Sequence, residues 1–363
     1  MLSQQMTQPS TAVNRAAKRL EVSQLPRPVL MTPIRRCGSH ALRLRLNFSE
    51  EFYSPYPLHI VEFMPLLPSY GDLSNDFNYF QLVIDVVGLQ AATMVKWDGV
   101  SLDPVVIFER IKDAPRSIHA ITWEMLFLAG QKHQAKVVMD KSLDSVHYAE
   151  ELISLFDDML FLNVVRDPRA QISSINRAII HDFDILLNTL TWVRAHDAGR
   201  ALAQKYPDRV LTIRYEDFIQ NQAAVLQSVC AFMGITFLDD MLDVSQSHEA
   251  QGLAVLSNLW ASNSSEPIPA NVDKFKKNLS LEEIRLIETL SADHMSYYGY
   301  ERMTQGRALI TESTIQTAKQ QSEKGKKTAW EQMKIDDPQD YQLRKFRADY
   351  LAMLRHKLSQ VAA

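Results

Sequence analysis

Short apolar runs recur along this chain, each closed by polar or turn residues, and longer stretches of helical periodicity separate them. That alternation constrains the fold more than any other feature. The runs are Val29–Met31, His59–Phe63, Val137–Met139, Met159–Val165 and Val210–Tyr215. They have the length and continuous apolar character of strands buried on both faces. Between and after them, Asn221–Met233 places Val225, Val229 and Phe232 on one helical face ahead of Gly234, and Ser280 with Glu283 forms a capping box before Ile284 and Ile287. Strands alternating with helices predict an α/β fold with a mainly parallel sheet flanked by helices.

The two ends read differently. Residues 1–25 are polar, rich in Gln, Ser and Thr, and without apolar period, which predicts a flexible lead-in to a domain spanning 26–303. From 304 to 363 Gln, Lys and Glu dominate, which predicts a helical extension. Its Leu343, Phe346, Tyr350, Leu351, Leu354 and Leu358 form an apolar stripe expected to pack on the chain's own domain. A formal net charge of -4 argues against broad capture of nucleic acid or of an anionic membrane, while leaving room for a local basic cluster on one anionic ligand. Cys37 and Cys230 offer neither a metal-ligand spacing nor a disulfide framework, so a reducing compartment is expected. No run approaches the roughly 20 apolar residues of a membrane span, and the start lacks the features of a secretory signal, so the expected place is the cytoplasm.

The strand Val29–Met31 runs into Thr32-Pro33-Ile34-Arg35-Arg36-Cys37-Gly38-Ser39-His40-Ala41-Leu42. A strand, a tight loop and a helix start offer unpaired backbone N–H groups to an anion. Arg36 adds a charged fork of donors and Ser39 a hydroxyl. In Arg43–Leu46 a period of two suggests a strand, but the preceding loop argues for a helix, and a helix is expected. The Walker A pattern is absent, which counts against a kinase-like transferase.

The loop resembles the 5′-phosphosulfate loop of sulfotransferases that use 3′-phosphoadenosine 5′-phosphosulfate (PAPS), in the Arg-Ser-Gly-Thr-Thr branch of bacterial and tyrosylprotein-type enzymes. Arg36, Gly38 and Ser39 fall on matching positions, with Cys37 in place of Ser and His40 in place of a hydroxyl residue; Ala41 completes the segment. Phe161–Val165 followed by Arg166-Asp167-Pro168, with Ser174 about two helical turns on, resembles the family's 3′-phosphate segment. On that resemblance Arg166 and Ser174 hold the 3′-phosphate. A plain Arg166–Asp167 ion pair is the competing reading. Asp140-Lys141-Ser142 resembles the segment whose lysine reaches the sulfuryl group, and Arg214-Tyr215-Glu216-Asp217-Phe218 the segment whose tyrosine lies near the adenine. Asp273–Ser280 resembles the basic stretch over the nucleotide. The resemblance spans about Pro28 to Tyr300 and implies a P-loop-like three-layer fold and PAPS as co-substrate, with no metal.

Sulfuryl transfer needs an acceptor oxygen in line with the sulfur, neutralised charge on the leaving phosphate, and a base. Arg36 and Lys141 are expected to supply the neutralising charge and Glu62 the base. As the end of an apolar strand, Glu62 is expected to have its pKa raised by desolvation, against the competing reading of a salt-bridged glutamate. In a strand His59 would face the opposite side; His119 and His147 are other candidates. The acceptor stays open among small molecules, saccharides, lipids and peptides, and Ser69 to Ile118 is expected to line part of its wall. A noncatalytic nucleotide-binding protein on the same frame is the remaining alternative.

Overall fold

In the computed structural model, which describes residues 25–265 and 268–361, the run around Val29 forms β1 (Arg27–Thr32) at the centre of a five-stranded sheet. β3 (Val137–Asp140) and β4 (Leu160–Val165) flank it, with β2 (Phe52–Tyr53) and β5 (Val210–Arg214) at the edges. The order is β2-β3-β1-β4-β5, and every pairing is parallel. In register, Val29 lies opposite Met139 and Leu160. The segment 1–24, which makes up nearly all of the expected lead-in, lies outside the described residues.

Fifteen helices are described. Ahead of β3 come α1 (Ser39–Leu46), α2 (Asp76–Ala91), α3 (Pro104–Ile111) and α4 (Ile118–Lys132). Next are α5 (Ala149–Leu155), α6 (Pro168–Ile175), α7 (Ile185–Lys205), α8 (Tyr215–Gln220) and α9 (Gln222–Met233). The chain continues through α10 (His248–Leu256), α11 (Phe275–Asn278), α12 (Leu281–Leu290) and α13 (Ala292–Tyr298) to α14 (Glu312–Asp336) and α15 (Pro338–Val361). The starts follow local chemistry: Asn75, Ser117, Asp167 and Asp184 accept hydrogen bonds from first-turn amides, each cap contributing about 1 kcal/mol. The Ser280–Glu283 capping box forms, and Gly234 ends α9 in the left-handed region at φ 74°.

Alternation along the strands sorts the core into two layers. Val29, Met31, Met139, Leu162 and Val164 pack with Leu42 of α1 and Leu226 and Val229 of α9. Leu30, Val138 and Phe161 pack on the other face with Leu82 and Val86 of α2 and Leu126 of α4. The helical extension belongs to this second layer: Leu354 and Leu358 are buried there, Lys357 pairs with the buried Asp85 at 2.8 Å, and the Tyr350 hydroxyl donates to the Asp85 carbonyl at 2.9 Å. Gly88 of α2 leaves room for the Tyr350 ring, which a Cβ there would overlap. Phe346 of the expected stripe points outward, 61% exposed.

The run His59–Phe63 is not a strand. It forms a 3₁₀ turn, Ile60–Glu62, entered with His59 at φ 52° and followed by a second, Met64–Tyr70. Pro57 precedes the run and Pro65 and Pro68 follow it, and its burial comes from packing between helices rather than from sheet pairing. The two-residue β2, too short to show a period, takes the edge instead. Arg43–Leu46 is helical, within α1.

Candidate active site

All the segments singled out from β1, β3, β4 and β5 leave the sheet at its carboxyl edge, around the central strand where the direction of winding changes; α/β sheets bind ligands at such points. A cavity of about 870 Å³ opens there. Gly38 precedes α1 with φ 88° and no side chain caps the helix, so first-turn N–H groups remain open to an anion. A Cβ at Gly38 would run into the Tyr215 ring, which closes the loop from the β5 side. Arg36, itself at φ 70°, turns back so that its Nε donates to Ser174 Oγ at 3.1 Å, while Arg166 donates to the Arg36 carbonyl at 2.9 Å. The loop after β1 and the exit of β4 therefore meet directly. Lys141 comes in from β3, its Nζ donating to Ser39 Oγ at 3.4 Å.

The competing reading of Arg166 fails for a reason outside its own segment. Asp167 is taken by Arg169, at 2.6 Å, and Arg169 also pairs with the fully buried Glu288 at 2.7 Å. Glu216 accepts from the Asp167 amide and from the Tyr300 hydroxyl, tying the exits of β4 and β5 together. Arg166 is left free of Asp167, its guanidinium 4.5 Å over the Tyr215 ring and its Nε buried without a partner.

Among the described residues none of Arg36, Lys141 and Arg166 makes an ion pair, although all three line the cavity. Burial, and then the charge of Arg43, depresses the Lys141 ammonium to about 7; burial and Arg166 bring Arg36 down to about 10. Cations held this way without carboxylates call for anionic oxygens. Gly38, Ser39, His40, Ala41, Ser174 and Tyr215 line the same cavity. Cys37 does not: its thiol is buried in the core with Met31 and Leu42, and burial pushes it up to about 11. Lys274 is the lysine of the basic stretch that reaches the cavity; Phe275 also lines it, with Arg169 over its ring at 4.9 Å.

At the other end stands Glu62. Instead of ending a strand in apolar surroundings, it accepts from Arg35 at 3.2 Å and from Arg347 of α15 at 3.0 Å. Burial alone would raise its pKa, but the charges of Arg347 and Arg35 outweigh it and hold the carboxyl below its ordinary range. The expected upward shift is thus reversed. Because the segment is a turn, His59 lines the cavity beside Glu62 rather than facing away. His59 and His40 are kept neutral, well below the usual imidazole range, by burial and neighbouring cations, and each has an unpartnered Nδ1. His119 and His147 lie outside the cavity.

Of the span Ser69 to Ile118, only Met94 reaches the cavity. The wall comes instead from residues 177–182, from the segment around Trp260, and from α14 and α15, including Lys326, Trp330, Arg344 and Arg347. Sequence reading passed over Arg344 and Arg347. Their three-residue spacing beside the apolar stripe of α15 was the available signal. Among the described residues there is no cluster of three or more His, Cys, Asp or Glu suited to a metal, and no helix is long and apolar enough to cross a membrane.

A sulfotransferase-family model matches residues 28–240 and a sulfotransferase-domain model residues 191–296. The chain belongs to the sulfotransferase family. Among solved structures, the sulfotransferase domain from the Synechococcus PCC 7002 olefin synthase is similar, with 21% identity and a TM-score of 0.53 over 77% of this chain and 96% of that one. The sulfotransferase domain from the curacin biosynthetic pathway is similar at 18% identity and a TM-score of 0.50, over 76% and 98%. Both likenesses concern the fold. No curated protein matches the chain in sequence.

Proposed function

We propose that this sulfotransferase uses PAPS as donor and transfers its sulfuryl group to a hydroxyl, or a similar nucleophile, of an acceptor molecule. One observation carries the reading. The Gly38 loop and the Arg166 strand exit, each resembling one half of a PAPS site, touch one another and share a cavity lined by Arg36, Lys141 and Arg166, none of which makes an ion pair among the described residues. The residues fit such a ligand: the unpartnered Nε of Arg166 and the uncapped amides of α1 lack acceptor oxygens.

When bound, PAPS supplies an activated sulfuryl group whose S–O bond to phosphate breaks as a new S–O bond forms to the acceptor, leaving adenosine 3′,5′-bisphosphate. Arg36, Lys141 and the α1 amides neutralise charge on the departing phosphate, and Arg166 with Ser174 grips the 3′-phosphate. Tyr215 packs beside the adenosine. Glu62 takes the acceptor proton. A second assignment of the base is His59, which is neutral, lines the same cavity and has no partner on Nδ1, whereas both Glu62 oxygens are paired with arginines.

Thermal-shift titration with adenosine 3′,5′-bisphosphate, ATP and NAD tests the donor. At about a hundred times its Kd the bisphosphate adds about 2.7 kcal/mol to stability and raises Tm by several degrees. Equal shifts with all three nucleotides, or none with the bisphosphate, would remove the reading.

A further inference from the structure

Arg344 and Arg347, on α15 and beyond the last residue matched by either family model, are only 8% and 7% exposed, yet both line the cavity. Each is anchored by part of its guanidinium. Arg344 pairs with Asp340 at 2.8 Å and stands over the Trp260 ring at 5.8 Å; Arg347 holds Glu62 at 3.0 Å and the Leu58 carbonyl at 2.9 Å. Other donors are left unsatisfied: Arg344 NH2 and Arg347 NH1 are buried without hydrogen-bond partners. A buried guanidinium donor without an acceptor is costly, and the cost is relieved by a ligand that brings oxygens to it.

The donor's anionic groups are already provided for by Arg36, Lys141, Arg166 and the α1 amides. The unpartnered NH1 of Arg347 lies instead on the side chain that holds Glu62, where the acceptor hydroxyl docks. Planar guanidinium forks match carboxylates in particular. Tyr56, Trp260, Trp330 and Leu351 supply aromatic and apolar wall nearby.

We propose that the acceptor is a hydroxy acid with an apolar body, whose carboxylate satisfies the unpartnered N–H groups of Arg347 and Arg344. This inference rests on the donor and acceptor ends assigned above. It also makes α15 a specificity-determining element of the site.

The test is calorimetric titration of the full chain, saturated with adenosine 3′,5′-bisphosphate, with a panel of short- to long-chain hydroxyalkanoates, each set against its methyl ester. The acids are expected to bind roughly tenfold or more tightly than their esters. Arg347→Gln should erase that preference, Arg344→Gln reduce it and Arg347→Lys retain part of it, with bisphosphate affinity unchanged in all three as the check on folding. Esters binding as well as acids across the panel, no member of either kind binding, or a preference that survives Arg347→Gln would overturn the proposal. Failure of the bisphosphate itself to bind the unaltered protein would remove the donor reading, and this inference with it.

Discussion

Raising the pH from 7 to 9 should weaken binding of adenosine 3′,5′-bisphosphate by discharging a single group, Lys141. Its ammonium is depressed to about 7 because it is buried, with Arg43 nearby and no carboxylate paired to it. An anion at Ser39 favours the charged form, so affinity is full below pH 7 and falls as the pH rises through the free-state pKa. Recharging Lys141 at pH 9 costs about two pK units, or about 2.7 kcal/mol at 1.36 kcal/mol each. A charge-assisted hydrogen bond is worth about 1.5–3 kcal/mol, which caps the loss if the ligand binds the neutral amine instead. Both limits put the rise in Kd between roughly tenfold and a hundredfold. Neighbouring groups leave this window clear: Asp140, raised to about 6 by burial, and the ligand phosphates, with a second pKa of about 6, are ionised before it, and Arg36 titrates above it at about 10. Calorimetry at constant ionic strength gives the profile. Lys141→Arg, which cannot lose its charge in this range, should flatten it. A flat profile in the unaltered protein, or an undiminished slope in Lys141→Arg, would refute the reasoning.

Arg166→Ala should raise the Kd for the bisphosphate by roughly ten- to a hundredfold, since it removes a charge-assisted contact and frees the Arg36 carbonyl; an unchanged Kd would count against the 3′-phosphate anchor. Glu62→Gln should lower the transfer rate by roughly a hundredfold or more with bisphosphate binding little altered, as loss of a general base does. Full activity in Glu62→Gln together with loss in His59→Gln would pass the role to His59. Gly38→Ala should abolish bisphosphate binding, because a Cβ there meets the Tyr215 ring at a φ that L-residues rarely adopt; the double variant Gly38→Ala/Tyr215→Ala should recover part of it, and no recovery would mean the clash is not the cause.

Much of the fold was legible because it depends on neighbours in the chain. The runs at Val29, Val137, Met159 and Val210 are strands because continuous apolar residues of that length bury both faces of a parallel sheet, and the Ser280 and Gly234 caps follow from local hydrogen bonding and backbone freedom. His59–Phe63 misled because it is equally apolar; the prolines on either side and the left-handed His59 make it a turn that side chains bury from several directions. The two candidate anion-binding segments could be picked out for the same local reason, each being a strand end followed by a helix start.

What the sequence alone determined, then, was four of the five strands, the Gly234 and Ser280 caps, and the placing of Arg36, Lys141 and Arg166 at strand exits. Tertiary structure decided which charges stay unpaired. Arg169 rather than Arg166 takes Asp167, because Glu288, 119 positions further on, braces it there. Arg347 reaches Glu62 across 285 positions and turns an expected weak acid into a clamped carboxylate. Ion pairing and pKa depend on distance and burial in space, and sequence spacing bears on neither once the partners lie on different elements.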